Sequence, residues 1–218
     1  MLVKTYGSAV YGVNACTITV EVNVGGGFGY VMVGLPDNAV KESKERVFTA
    51  LKHNGFEIPR HKITINMAPA DIRKEGTSYD LTIALGVLAA SGQLDPEIVS
   101  RYVIMGELSL DGKLQPVKGA LPIAIQARKE GFIGLLLPEA NANEASIVSN
   151  LDVIPIPALK SAVDFLNGNT SIPPAQQNTR ELFAAHHHQY DLDFADVRGQ
   201  ASVKRAMEVA AAGGHNLI

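Results

Sequence analysis

The stretch Thr77-Ser-Tyr-Asp-Leu-Thr-Ile-Ala-Leu-Gly-Val-Leu-Ala-Ala90 carries the clearest structural signal in the chain. Residues 81–90 are apolar on nearly every face of a helix, and such a helix is buried on most of its sides. The four residues before it, 77–80, match the capping box that often opens a helix. The pattern therefore predicts a buried helix that begins at its own capping residues.

Strands and one further helix are predicted on the N-terminal side of this stretch. Residues 15–24 alternate apolar and polar side chains with the period of two that marks a strand with one buried face. Gly25-Gly-Gly-Phe-Gly29 interrupts the alternation and residues 30–33 resume it, which favours a hairpin. Asp37 is placed to cap a helix that ends at Asn54-Gly55.

On the C-terminal side, predicted strands alternate with predicted helices. Asp111-Gly112 is the strongest short-range hairpin signal, and it lies between predicted strands over residues 102–110 and 113–117. A helix over 120–130 has a proline in its first turn and ends at Gly131. The other predicted elements are strands over 61–68, 133–137 and 152–156 and helices over 139–146 and 159–166. Together they predict an α/β domain with a mixed (α+β) sheet over residues 1–166.

The composition changes after this predicted domain. Residues 167–192 are polar, contain adjacent prolines and show no periodicity, which is typical of a linker. Residues 193–218 contain one more helix with an apolar stripe, followed by a few residues that look like the start of a strand. A lone helix cannot form a core. We therefore expect residues 193–218 to be the beginning of a second domain, cut off just after it starts.

Composition and charge exclude several classes of protein. The 218 residues are 46% hydrophobic and 19% charged, the profile of a globular protein rather than a disordered, fibrous or membrane protein. Lys and Arg number 19 against 22 Asp and Glu, and a net charge of −3 gives no global basic field for nucleic acid. The single cysteine, Cys16, excludes an intramolecular disulfide and fits a reducing compartment. With no signal peptide or membrane-spanning apolar run, a cytoplasmic location is expected.

Three further features have structural explanations that outweigh the functional ones. The glycine cluster over 25–29 fits neither common phosphate-loop pattern and leads into a strand, so a turn is favoured. The run His186-His-His188 lacks other ligands at metal spacing and fits a solvated linker, and no metal site is expected. Cys16 falls on the apolar face of its strand, which favours a buried structural thiol over a nucleophile.

Ser78 is the single residue with the most chemical interest. A hydroxyl at the start of an apolar helix lies where free N–H groups can bind an oxyanion. A serine nucleophile also needs a base, and the lysines that follow the predicted hairpin turn are Lys113 and Lys118. A helix cap formed by Thr77 or Ser78 needs no further partner, and on spacing alone the cap is the favoured interpretation.

Six segments occur together in an order that is characteristic of one bacterial family. They are Val33-Gly-Leu-Pro-Asp-Asn-Ala-Val-Lys-Glu-Ser-Lys-Glu-Arg-Val47, Ile65-Asn-Met-Ala-Pro-Ala-Asp71, Lys74-Glu-Gly-Thr-Ser-Tyr-Asp-Leu81, Gly106-Glu-Leu-Ser-Leu-Asp-Gly112, Asp193-Phe-Ala-Asp-Val-Arg-Gly-Gln200 and Ala210-Ala-Ala-Gly-Gly-His-Asn-Leu217. With these segments the chain resembles the N-terminal region of the YifB/ComM family of magnesium-chelatase-like AAA+ ATPases. The likeness covers nearly the whole chain, and residues 167–192 are its least characteristic part.

This resemblance implies a fold, a parent activity and part of a nucleotide site. The first domain would have the fold of the Lon proteolytic domain, of the ribosomal protein S5 domain 2 type. The AAA+ module of the family forms hexameric rings that use ATP and Mg²⁺, and it acts on DNA as an ATP-driven helicase that promotes branch migration in natural transformation. The chain would stop just before the Walker A loop, so no cofactor is expected on it alone. Val197, Gly199 and Gln200 would lie near the adenine.

The same resemblance bears on the role of Ser78. Aligned with the Lon serine motif, Ser78 takes the place of the nucleophile, whereas Leu121 stands where the catalytic lysine is found. Lys118 lies three residues earlier, and on a helix start that shift turns its side chain in another direction. The resemblance therefore implies a protease fold kept for another use, with Ser78 a vestige and no catalytic residue. A Ser/Lys peptidase that uses Ser78 and Lys118 is the alternative.

A third hypothesis has the first domain binding DNA directly. A local basic patch would then be formed by Arg60, His61, Lys62, Arg73 and Lys74. Contacts between such residues and phosphates weaken steeply with salt. The net charge of −3 favours an ordinary solvated surface instead.

Overall fold

A seven-stranded mixed sheet organises the first of the two units into which the chain divides, Met1–Gln177 and Asn178–Ile218. The computed structural model describes residues 1–176 and 193–216. Both strand pairs that involve the second strand of the chain are antiparallel, and the other pairs of the sheet are parallel. The mixed sheet confirms the predicted α/β class. In spatial order its strands are β3 (Tyr30–Val33), β4 (Lys62–Ala68), β2 (Asn14–Gly25), β1 (Leu2–Tyr11), β5 (Tyr102–Ile104), β8 (Gly134–Pro138) and β9 (Asp152–Ile156).

Helices cover both faces of this sheet. Side chains along β5, β8 and β9 alternate between two apolar clusters, because successive residues of a strand point to opposite faces. The helices of the first cluster are α1 (Asn38–His53), α2 (Asp80–Ala90) and α6 (Leu159–Leu166), and those of the second are α4 (Ala120–Lys129) and α5 (Ala142–Ala145). The short helix α3 (Pro96–Val99) follows α2, and β6 (Glu107–Leu108) and β7 (Leu114–Gln115) form a separate two-stranded ribbon.

Helix α2 forms the middle of the first cluster. All of its residues are buried, as the all-round apolar pattern predicts. It packs against β1 and β2 on one side and against α1 on another. A Cβ atom at Gly86 would lie 2.7 Å from a methyl group of Val22 and 3.3 Å from the Thr5 hydroxyl. The glycine therefore lets the helix approach the two strands closely.

The capping box predicted over residues 77–80 is wrong. The helix begins at Asp80, its N-cap residue is Tyr79, and no side chain caps it. The Thr77 hydroxyl donates instead to Glu107, and the Asp80 carboxylate accepts hydrogen bonds from Arg46. Thr77 and Asp80 therefore both bond to residues that are distant in sequence. Their spacing within the motif gives no sign of these contacts.

The hairpin predicted around the glycine cluster is also wrong, because β4 lies between β2 and β3. The N–H groups of Lys62 and Ile63 donate to the carbonyls of Gly27 and Gly29 at 2.7 and 2.9 Å. The cluster is therefore a wide loop that crosses the end of β4. A tight hairpin occurs earlier, where β1 and β2 pair along their whole length and Tyr11 faces Asn14.

Most of the other predicted elements are confirmed. The Asp37 carboxylate accepts from the Val40 N–H at 2.7 Å and caps α1, whose C-cap residue is Asn54. The predicted strand over 102–110 is divided, because Gly106 has a φ of +159° and its N–H donates to the Ser78 carbonyl at 2.8 Å. Its first part is β5 in the main sheet, and its second part is β6, which pairs with β7 around the predicted Asp111-Gly112 turn.

The second unit contains the helix predicted there. A 3₁₀ turn over Phe194–Asp196 has Asp193 in a capping box and is followed by helix α7 (Ala201–Gly213). Gly214 ends α7 in the left-handed conformation, with a φ of +64°. The strand predicted to begin at His215 falls partly outside the described residues. No helix in the described part of the chain is long and apolar enough to span a membrane.

A buried ion pair joins α1 to the first turn of α2. Arg46 donates from Nε and Nη2 to the two carboxylate oxygens of Asp80, at 2.7 and 3.0 Å. The Leu108 N–H donates to the same carboxylate at 3.2 Å. The Asp80 side chain is 1% exposed and that of Arg46 is 20% exposed. Burial raises the pKa of the Asp80 carboxyl, and the hydrogen bonds and charge of Arg46 act against that rise.

Loss of the arginine should leave this carboxylate buried without a partner. Arg46→Ala is expected to lower the free energy of unfolding by about 3–5 kcal/mol near neutral pH. Without Arg46 the folded-state pKa of Asp80 rises further above its unfolded value, so the folded chain binds the proton more tightly. The loss should therefore shrink as the pH falls towards the pKa of an unfolded aspartate. Urea unfolding at neutral and acidic pH measures both effects.

The matched control is the double variant Arg46→Met, Asp80→Leu. It replaces the ion pair with apolar side chains of similar size and should recover most of the lost stability. A loss below about 1 kcal/mol for Arg46→Ala, the value typical of an exposed pair, would contradict this role for the pair. So would a loss that is independent of pH.

Candidate functional site

A cleft of about 700 Å³ opens beside the N-terminal end of α2. Its walls come from residues 8–11 of β1, residues 73 and 75–79 of the loop before α2, and residues 116–118 before α4. Ser78 and Lys118 both line the cleft, so the structure brings together the two residues of the predicted peptidase alternative. The other ionisable side chains of the lining are Tyr11, Asp37, Arg73, Glu75, Tyr79 and Glu107.

The loop that carries Ser78 is held from both sides. The Asp37 carboxylate, which caps α1, also accepts from the Gly76 N–H at 3.0 Å. The Gly106 N–H donates to the Ser78 carbonyl at 2.8 Å, and the Thr77 hydroxyl donates to Glu107. These bonds come from elements on either side of the loop, and they fix the backbone around Ser78.

The first two N–H groups of α2 are bonded to backbone carbonyls and are not free for an oxyanion. The Asp80 N–H donates to the Thr77 carbonyl at 3.2 Å, and the Leu81 N–H donates to the Gly106 carbonyl at 3.0 Å. Over residues 1–176 and 193–216, the Ser78 hydroxyl has no hydrogen-bond partner. The half-buried serine therefore lies in the cleft without a bonded base, and the N–H groups of Asp80 and Leu81 are engaged elsewhere.

The two candidate positions for a lysine base differ in their surroundings. Lys118 is exposed, and a lysine becomes a base when it is desolvated or placed beside another cation. Leu121 is half-buried and packs against the second apolar cluster, while its N–H donates to Glu144 at 3.0 Å. The cleft thus contains a lysine, but in an environment that leaves its ammonium group hydrated.

A different lysine, Lys74, is fully buried. Its Nζ donates to the Pro69 carbonyl, and its own backbone bonds to the segment before α1, with Asp37 donating to its carbonyl at 3.0 Å. Burial lowers the pKa of the Lys74 ammonium. Lys74 is not among the residues that line the cleft, and its contacts show that it holds the loop that leads to Ser78.

The basic patch that the DNA-binding hypothesis requires is not assembled by the fold. Lys74 is buried, and Arg73 lies beyond the C-terminal end of β4, where it pairs with Glu75 at 3.2 Å. Arg60 and His61 precede the other end of the same strand. A seven-residue strand is about 20 Å long, so these cations lie at opposite ends of it. These residues therefore do not form one local patch, which agrees with the ordinary solvated surface that the net charge favours.

Cys16 is half-buried rather than buried. Its side chain is on the same face of β2 as those of Ile18 and Val20, which are fully buried on the apolar side of the strand. Cys16, however, lies close to the hairpin end of the strand. Its Sγ donates weakly to the Thr17 carbonyl at 3.7 Å. The predicted face is therefore confirmed, while the predicted burial is not.

The residues suggested for the adenine side of a nucleotide site lie in the second unit. Val197 follows the 3₁₀ turn and is exposed, and Lys204 donates to its carbonyl at 2.5 Å. Gly199 and Gln200 both have a left-handed backbone, with φ of +72° and +56°, just before α7. No cluster of three or more His, Cys, Asp or Glu side chains suited to a metal occurs within the described ranges. The run His186–His188 lies outside them.

Sequence reasoning missed two features of the cleft. Residues 8–11 were predicted only as part of a strand, and their position beside Ser78 depends on the order in which distant strands pair. Asp37 was predicted as a helix cap, which it is, but its second bond to Gly76 joins segments that are far apart in sequence. No local pattern marks either contact.

The sequence is similar to several known proteins. Residues 20–141 match the family described as "Subunit ChlI of Mg-chelatase", and residues 193–218 match that described as "Magnesium chelatase, subunit ChlI". Competence protein ComM of Haemophilus influenzae is 41% identical over 218 residues, which are 100% of this chain and 43% of that protein. Uncharacterized protein YifB of Escherichia coli is 41% identical over 211 residues, 96% of this chain and 40% of that protein.

A more distant relative bears on the fold. Lon protease 2 of Bacillus subtilis is 29% identical over 137 residues, which are 63% of this chain and 24% of that protein. Together with the mixed sheet flanked by helices, this likeness confirms the expected Lon-like fold. The chain spans about two fifths of the length of ComM and YifB. Since the first family match covers residues 20–141 of 218, the chain belongs to the family of the ChlI subunit of magnesium chelatase.

Proposed function

We propose that this chain is the non-catalytic N-terminal module of a hexameric AAA+ ATPase that remodels DNA. The parent would be an ATP-driven helicase that promotes branch migration, in the cytoplasm, during natural transformation. Membership of the ChlI family and 41% identity to a competence protein over the whole chain support the ATPase class and the link to DNA. The module would support assembly of the ring or contact its substrate.

The non-catalytic assignment is supported by one observation, which is that the Ser78 hydroxyl has no base bonded to it in the described residues. Ser78 lines a cleft in which the candidate base, Lys118, is exposed to water. Leu121 replaces the lysine expected from the Lon resemblance, and the N–H groups of Asp80 and Leu81 are already bonded. A serine oxygen without a base stays a weak nucleophile. The fold of a protease would thus serve here as a scaffold.

The division of the chain is part of the same proposal. Residues 1–166 would form the Lon-like module, 167–192 the linker and 193–218 the beginning of the AAA+ domain, which agrees with the second family match over 193–218. Val197, Gly199 and Gln200 would contact the adenine side of ATP, held by the tight backbone turn before α7. ATP and Mg²⁺ would be used, and the hexamer formed, by the longer protein.

Nucleotide turnover provides the first test. The purified 218-residue chain is expected neither to bind ATP tightly nor to hydrolyse it, because the residues that hold the phosphates would belong to the longer protein. The longer protein, assayed in parallel with Mg²⁺, should do both and should hydrolyse ATP faster when DNA is added. Phosphate release by the 218-residue chain, or its absence in the longer protein, would contradict the proposal.

A second candidate function, a Ser/Lys peptidase, is favoured by one observation. Ser78 and Lys118 line the same cleft, although the sequence separates them by 40 residues (118 − 78). In such an enzyme the lysine amine would take the proton of the serine hydroxyl as the oxygen attacks a peptide carbonyl.

Hydrolysis of unfolded casein distinguishes the two functions. The non-catalytic proposal predicts no cleavage by the parent chain above that of Ser78→Ala. The peptidase predicts cleavage that Ser78→Ala and Lys118→Ala both abolish. Lys113→Ala is the matched control, because Lys113 is equally exposed but pairs with Asp111 at 3.5 Å outside the cleft. If the parent chain and Lys113→Ala cleave casein while Ser78→Ala and Lys118→Ala do not, the peptidase would be established and the non-catalytic proposal rejected.

A further inference from the structure

Strand β1 has an edge that its neighbours leave partly free. It pairs with β2 over its whole length, from Leu2 to Tyr11. On its other side it pairs with β5 only at Tyr6, opposite Val103. After Ile104 the Met105 N–H still donates to the Leu136 carbonyl of β8 at 2.9 Å, but no further residue of this segment pairs with β1 in the described part of the chain. Among residues 1–176 and 193–216, no strand therefore lies beside the second half of β1, residues 8–11, on this edge.

The backbone groups of Ser8 and Val10 point towards this edge. Residues of an antiparallel strand turn their N–H and C=O groups to one side and the other in alternation. Tyr6 faces β5, and the Ser8 N–H donates at 3.1 Å to the sulfur of Met105, a weak acceptor. Val10 has the same parity, so its N–H and C=O also point away from β2. Outside the β1–β2 ladder no backbone partner for Val10 occurs in residues 1–176 and 193–216.

This edge forms one wall of the Ser78 cleft. Residues 8–11 all line it, a length of about 13 Å, which matches about four residues of extended chain. The side chains of Met105, Val117 and Ile123 give the cleft an apolar part. Val10 is 37% exposed, so its edge is accessible from solvent.

We propose that the cleft binds an extended peptide segment of another protein, which adds as a strand to β1 at Ser8 and Val10. Backbone donors and acceptors that alternate about 7 Å apart along an edge match another extended polypeptide, and alternate side chains of the segment would reach the apolar part. This proposal goes beyond the function proposed above. It rests on the non-catalytic assignment in one respect, which is that the bound segment is expected to stay uncut.

Charge and hydrogen-bond chemistry argue against a nucleic acid in the same place. A phosphate backbone supplies acceptors but no matching donors for the Val10 carbonyl. The lining holds three carboxylates, Asp37, Glu75 and Glu107, against the two cations Arg73 and Lys118. One of those cations, Arg73, is already paired with Glu75. Phosphate binding needs a surplus of positive charge, which the cleft lacks.

Binding of fluorescently labelled β-casein, an unfolded polypeptide, to the 218-residue chain tests the proposal by fluorescence anisotropy. Val10→Pro removes the N–H that faces the cleft and leaves the β1–β2 ladder bonds intact, so it should weaken binding about tenfold. Val10→Thr is the matched control, because it keeps the N–H and the shape of the side chain, and it should bind like the parent.

A second measurement on the unmodified chain avoids any doubt about folding of the proline variant. Hydrogen exchange of the Val10 amide should slow when β-casein is added, while the amide of Val13, an 86% exposed residue of the β1–β2 turn, should not change. The proposal would be overturned by any one of three results. These are unchanged exchange of the Val10 amide, equal binding of casein by Val10→Pro and the parent chain, and binding of single-stranded DNA in place of casein. Casein that is bound and cut would uphold the peptide site and overturn the non-catalytic function instead. Failure of casein binding would leave the ATP hydrolysis result of the longer protein unaffected.

Discussion

The carboxylate of Asp80 is the point on which the arrangement of the first unit depends. It accepts two hydrogen bonds from Arg46 on α1 and one from Leu108 on β6, and it is almost fully buried at the first turn of α2. A charge in that position is tolerated only because all these partners are present. The Asp80 carboxylate therefore joins α1, β6 and α2 to one another. These three elements surround the Ser78 loop, so this carboxylate determines where the loop lies.

The sequence predicts those parts of the fold that local patterns determine. The all-round apolar run over 81–90 is a buried helix, and Asp37 caps α1 as expected. Contacts between distant segments could not be predicted in this way. The sequence contains no sign that β4 lies between β2 and β3, and the polar residues Thr77 and Asp80, which match a local cap, bond to Glu107 and Arg46 instead.

The candidate site shows the same division between local and long-range information. Ser78 was identified from its place before a helix, and the structure puts it in the cleft together with Lys118. Lys74, predicted on the surface, is buried because the loop folds around its side chain and Pro69 supplies an acceptor for the ammonium group. The strand edge at Val10 has no local signature, since it depends on where β5 stops pairing with β1.

The family, the fold and the cleft combine into one proposal: a protease-like scaffold without a working nucleophile, attached to an ATPase. Its central claim concerns the reactivity of one oxygen atom, Ser78 Oγ. Treatment of the chain with a fluorophosphonate, followed by intact-mass and peptide-level mass spectrometry, tests that reactivity directly. The parent chain should remain as unmodified at residue 78 as the Ser78→Ala variant. A phosphonyl adduct that forms on Ser78 of the folded chain, but not on a chain unfolded before treatment, would show an activated serine and contradict the proposal.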